Sequence, residues 1–271
     1  MKRYASLMGL AVLTLSSASC NIFEFMDSPS GEAQILEKAR GCFDAGDVDC
    51  ARQYYAKLSN SQSDVKLSEL AFVEAFDVGI GMADFMAAFG DGGGGKGLGI
   101  MANRLAGKVD SASRQKLYDA YTTVASINDT TLKGLTRFVV ATVFAAHILA
   151  ESSGGDGTFD QTDLAASPAA CIAAGVGCAG NPASCLPSAG SQLTAGGAST
   201  DFDNGIITTP NLNLFRGALT AINTGLSEMG ASGNFGSGAG GLDGVFGALP
   251  MAGAGDAACF RQQMLSEHIG E

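Results

Sequence analysis

Cysteine, histidine and serine are the residues here whose chemistry could be decisive, and the cysteines are the most telling. There are seven, at positions 20, 42, 50, 171, 178, 185 and 259. Cys20 stands apart, directly behind the small-residue run Ser16-Ser17-Ala18-Ser19. Setting it aside leaves Cys42, Cys50, Cys171, Cys178, Cys185 and Cys259, an even set that pairs as disulfides in an oxidising compartment. Zinc is the rival chemistry, and spacing argues against it. There is no Cys-x-x-Cys pair, and neither His147 nor His268 lies at ligand spacing from a cysteine. Nucleophilic catalysis fares no better. Gly230-Ala231-Ser232-Gly233-Asn234 misses the nucleophile-elbow pattern, and no strand leads into it. Ser63-Asp64-Val65-Lys66 fits Ser-x-x-Lys but lacks the Ser-Asp-Asn and Lys-Thr-Gly partners. His147 falls within an apolar helical pattern, where a core role is the commoner one. No catalytic residue and no cofactor is assigned.

The segment before Cys20 has the pattern of a cleaved leader: basic Lys2 and Arg3, an apolar core over 5–15, then small residues. That core is too short to span a bilayer. At Cys20 the segment resembles a bacterial lipoprotein signal, in which the cysteine becomes the acylated first residue of the mature chain. The resemblance implies a signal peptide over 1–19, a tether over 20–29, and a mature protein held at the cell envelope, at the outer membrane facing the periplasm. Ser17 stands where that family carries an aliphatic residue, so general cleavage after Ser19 is the alternative. Each buried acyl CH₂ contributes about 0.8 kcal/mol, and stable anchoring takes more than one chain.

Removing Lys2 and Arg3 takes the net charge from -11 to -13. Such a surface repels phosphate backbones and anionic headgroups, so nucleic acid is excluded as a partner and membrane contact is left to the lipid. The absence of Trp removes the commonest stacking platform for sugars or bases.

Apolar residues at three- and four-residue steps predict helices almost throughout. Ser28-Pro29 opens the first, with Ile35, Leu36, Ala39, Cys42 and Phe43 on one face. Gly46 ends it, and Asp47 caps a second carrying Val48, Ala51, Tyr54, Tyr55 and Leu58. Cys42 and Cys50 flank the turn of this hairpin, placed to fall within the roughly 4.4–6.8 Å Cα separation of a disulfide. The hairpin resembles one tetratricopeptide unit, through Ala39, the Gly46-Asp47-Val48-Asp49 turn, Ala51, and the Tyr54-Tyr55 and Lys57-Leu58 pairs. A bridge at Cys42–Cys50 would resemble the stapled hairpins of secreted Sel1-like repeats. Such hairpins present grooves for peptides or partner helices, and Tyr54, Tyr55 and Phe72 are the residues expected to line one. Further helices are predicted over 64–78, 82–89, 98–108, 111–127 and 130–151. The last is apolar around nearly its whole circumference and is expected at the bundle centre.

Between the fourth and fifth helices, Gly90-Asp91-Gly92-Gly93-Gly94-Gly95-Lys96-Gly97 has the spacing of a phosphate-binding loop. It lacks the closing Ser or Thr and the preceding strand, and is expected to be a flexible connector. The stretch 152–163 resembles a degenerate EF-hand or dockerin loop, through Asp156, Gly157, Phe159, Asp160 and Asp163. Ser152 and Gly154 replace the first two acidic ligands, which favours a second reading in which Gly154-Gly155 ends a helix and Thr158, with Gln161, caps the next. The region 152–206 is then a cysteine-bearing loop, and 207–271 holds two helices, one begun at Thr209-Pro210 and one capped by Asp256, joined by a Gly-rich loop. Cys259 is expected to pair with Cys171, Cys178 or Cys185.

These readings converge on an all-α helical bundle, one domain over 30–271 with a core over 30–151, a tetratricopeptide-like N-terminal hairpin and Gly/Ala/Ser-rich, disulfide-tied loops. The expected function is a lipid-anchored, non-catalytic binding or scaffolding role with a protein or peptide partner, one form of it transport-accessory. The alternative is an envelope hydrolase whose site gathers His147 with a Ser and an Asp from distant positions.

Overall fold

A computed structural model describes residues 31–153, 157–160, 163 and 211–230. Among them the fold is all-α, with no strand. The helices are α1 (Glu32–Asp44), α2 (Val48–Ala56), α3 (Ser63–Phe76), α4 (Met82–Leu105), α5 (Ser111–Val124), α6 (Thr130–Glu151) and α7 (Asn211–Glu228). The chain divides into two compact units, Met1–Asn60 and Ser61–Glu271. The expected helix start at Ser28-Pro29, the last helix at Asp256, Cys20, Asp156 and the four later cysteines lie outside the described residues.

In the first unit the turn between α1 and α2 is fixed by local chemistry. Gly46 adopts φ 77°, a left-handed conformation that side chains resist. Its N–H donates to Phe43 O at 2.9 Å, and Asp47 N–H to Cys42 O at 2.9 Å, closing the carbonyl end of α1. Asp47 then starts α2 by accepting from Cys50 N–H at 3.0 Å. These steps bring Cys42 and Cys50 to a Cα separation of 5.7 Å, joined as a disulfide. Glu32 ties down the chain beyond α2, accepting from Ser59 N–H at 3.1 Å. Ala39, Ala51, Tyr55 and Leu58 are buried.

The second unit is organised around α6, which packs against α3, α4, α5 and α7. Fifteen residues of α6 are buried, from Gly134 to Ala150, as its all-round apolar pattern requires. It is long and apolar enough to cross a bilayer by length and composition, yet most of it is buried inside the protein. Where α7 crosses it, Gly134 and Gly225 meet backbone to backbone. A Cβ on Gly225 would fall 2.7 Å from both Gly134 O and Phe138 N. Arg137 and Glu228 pair beside this crossing at 3.3 Å. The α5–α6 connection is held by Asp64 at the start of α3, which accepts from Asn128 N–H at 3.1 Å and Asp129 N–H at 2.9 Å.

The expected connector over 90–97 is corrected in part. Helical turns extend into it, and α4 covers 24 residues. A straight helix would hold Asp84 and Arg104 about 30 Å apart. They instead form a salt bridge at 2.5 Å, so the axis folds back between them. Six glycines lie in that stretch, and each weakens a helix by about 1 kcal/mol relative to Ala. The flanks supply the anchorage. Phe85 makes edge contacts with Phe76 at 5.9 Å and Phe138 at 6.4 Å, and Leu98, Met101, Ala102 and Leu105 are buried.

Candidate functional site

The polar residues that converge in the second unit lie where the N-terminus of α5 meets the C-terminal half of α6. Asp110 caps α5 and accepts from Ser113 N–H at 2.7 Å, while its own N–H donates to Ser113 Oγ at 2.9 Å. This reciprocal pair is a capping box with Ser in the third helical position. It fixes the Ser113 hydroxyl 2.8 Å from His147 Nε2. One turn further along α6, Glu151 Oε1 lies 3.0 Å from His147 Nδ1. Serine, imidazole and carboxylate therefore stand in the order of a nucleophile, base and orienting acid. His147 is fully buried and Ser113 is 9% exposed.

The electrostatics of the cluster are set by a fourth residue. Arg114 Nε donates to Glu151 Oε1 at 2.9 Å, and its Nη2 pairs with Glu151 Oε2. This two-pronged hold takes both carboxylate oxygens. His147 Nδ1 is near Oε1 but has no aligned hydrogen-bond acceptor among the described residues. Burial first, and then the Arg114 charge, push the His147 imidazole down to about 4, with Asp110 opposing the shift. The ring is thus neutral at neutral pH. The Ser113 hydroxyl also donates to Asp110 O at 2.9 Å, and which of Ser113 Oγ and His147 Nε2 donates to the other is set by the tautomer of the ring. Asp110 itself is held below the usual carboxylate range, chiefly by the Ser113 N–H.

The residues expected from sequence fall differently. Tyr55 is fully buried, so the expectation that it lines a groove is corrected: its ring is part of the core. Tyr54 is half-buried with Lys57 Nζ 4.0 Å above its ring. Phe72 is half-buried in the second unit. In the expected calcium loop, Gly157 has φ 81°, Phe159 is buried, and Phe159 N–H donates to Asn103 Oδ1 at 3.3 Å. Asp163 is 5% exposed and accepts from Asp160 N–H at 2.9 Å. This bond closes the turn over 160–163, and Gln161 of the expected Thr158–Gln161 box lies outside the described residues. No group of three His, Cys, Asp or Glu side chains is placed to hold a metal among the described residues.

Sequence reasoning named His147 but missed Ser113, Arg114 and Glu151 as its neighbours. The available signals were the Asp-x-x-Ser start of α5 and the four-residue step from His147 to Glu151. Neither reveals that Ser113 and His147, 34 positions apart, would touch. No family of known proteins, no curated protein and no solved structure matches the chain.

Proposed function

We propose that the chain is an exported, lipid-anchored envelope protein that binds or scaffolds a protein or peptide partner, with Cys20 as the acylated residue. The observation that carries this reading is the Cys42–Cys50 disulfide. Such bonds persist in oxidising compartments and are rare where thiols are kept reduced. That accords with the leader-like segment before Cys20 and the small residues Ser16 to Ser19 that end it. A binding role accords with helical hairpins, and one form of it is an accessory to a solute transporter. The test is Cys20→Ala in the intact envelope. The variant is expected as an unprocessed precursor or a freely soluble product, because the acidic mature surface has no affinity of its own for anionic membranes. A processed variant that stays with membranes after a salt wash contradicts the anchor.

The Ser113–His147–Glu151 cluster favours a second reading, an envelope hydrolase of serine type. Its support is the order and spacing of the three groups, 2.8 Å and 3.0 Å. Covalent labelling of Ser113 by a fluorophosphonate, absent in His147→Gln, is the expected result if this reading holds. A folded chain that takes no label either as wild type or as Arg114→Gln rejects it.

A further inference from the structure

In a serine relay the carboxylate orients the imidazole through Nδ1–H and stabilises the imidazolium formed when the serine proton is taken. Here the oxygen that faces Nδ1 is shared with Arg114 Nε, and the other oxygen is held by Arg114 Nη2. The pair is largely buried, Arg114 at 20% and Glu151 at 12% exposed, so water screens it little. A guanidinium in this position opposes catalysis twice. It diverts the carboxylate from the ring, and its positive charge disfavours an imidazolium beside it. The charged groups acting on the ring are Arg114 and Asp110 from the α5 side and Glu151 from α6 itself. Resting on the hydrolytic reading, we infer that Arg114 is an internal inhibitor of the Ser113–His147–Glu151 relay, released by an ester substrate that carries its own carboxylate. The fork that holds Glu151 already has the geometry to exchange one carboxylate for another. With Glu151 freed, Ser113 Oγ bonds to the ester carbonyl carbon as its proton passes to His147 Nε2. Collapse then breaks the ester bond. The leaving alkoxide takes the proton from Nε2 and departs as the alcohol, and a water molecule repeats the sequence on acyl-Ser113 to release the acid.

The experiment uses the full mature chain and three readouts. The first is the NMR titration of His147, which is assigned with His147→Gln because the chain has only two histidines. Its midpoint is expected to rise by about one unit or more in Arg114→Gln, since the positive charge is gone and Glu151 faces the ring. The second is fluorophosphonate labelling of Ser113, expected to be about ten-fold faster in Arg114→Gln than in wild type. The third compares wild-type hydrolysis of p-nitrophenyl hemisuccinate and p-nitrophenyl acetate, with the anionic ester turned over about ten-fold faster. This comparison needs no variant, and keeps the inference falsifiable if Arg114→Gln misfolds with Glu151 unpaired. A His147 midpoint that does not rise in folded Arg114→Gln overturns the inhibitor role even if Ser113 labels. Equal wild-type rates on the two esters overturn release by a substrate carboxylate. A midpoint that rises while Ser113 takes no label in any variant overturns the hydrolytic reading, and the inhibitor role with it.

Discussion

Acidification should destabilise the second unit through His147, and the size of the effect follows from its setting. The imidazole is fully buried and pushed from 6.5 to about 4. The unfolded chain therefore binds a proton that the folded chain refuses at intermediate pH, so stability must fall as pH falls. The contribution is intact above 6.5, declines across the window from 6.5 to 4, and levels off below it. A separation of this size corresponds to losses of about 1, 2 and 3 kcal/mol at pH 6, 5 and 4. Carboxylates with lowered values, Asp64 and Asp110 among them, add their own acid sensitivity. The assay is therefore a difference: urea unfolding at pH 7, 6, 5 and 4 for wild type and His147→Gln. Wild type should lose roughly 3 kcal/mol more than the variant between pH 7 and 4. Parallel pH dependence in the two proteins would refute the buried, neutral imidazole and the cluster built around it.

Other positions test the packing. Gly225→Ala would press a methyl group against Gly134 O and Phe138 N, and urea unfolding should show a loss of roughly 2–4 kcal/mol. Gly41→Ala, where nothing lies within 4 Å of the added Cβ, should instead stabilise α1 by up to about 1 kcal/mol in thermal melts. Arg104→Gln removes the half-exposed clasp on Asp84, and chemical denaturation should change by less than about 1 kcal/mol. Removing both thiols with Cys42→Ser/Cys50→Ser should weaken the hairpin by about 2–3 kcal/mol, as expected for so short a loop, and limited proteolysis within 31–60 should speed up accordingly.

The legible parts of the fold are those in which local chemistry decides. The bounds of α6 coincide with the sequence reading because Asp129 caps it and its apolar residues surround the whole axis. The hairpin turn was readable because only Gly tolerates the φ of Gly46 and Asp47 is a strong cap. The glycine run misled in part, since helix propensity favours a loop there while Phe85, Leu98 and Met101 fix both flanks in the core. Tyr55 misled for another reason. The same period places an aromatic on a packed face or on a groove, and only its zero exposure separates them. The Ser113–His147 contact was illegible because it depends on how α5 and α6 cross. Each partner alone reads as a helix cap or a core residue.

Mass spectrometry of the mature protein purified from the envelope without reducing agent tests the central claim most directly. The account predicts an N-terminal peptide beginning at diacylated or triacylated Cys20, and a Cys42 peptide linked to Cys50. An unmodified Cys20 in a chain that keeps residues 1–19, or free thiols at Cys42 and Cys50, would contradict it.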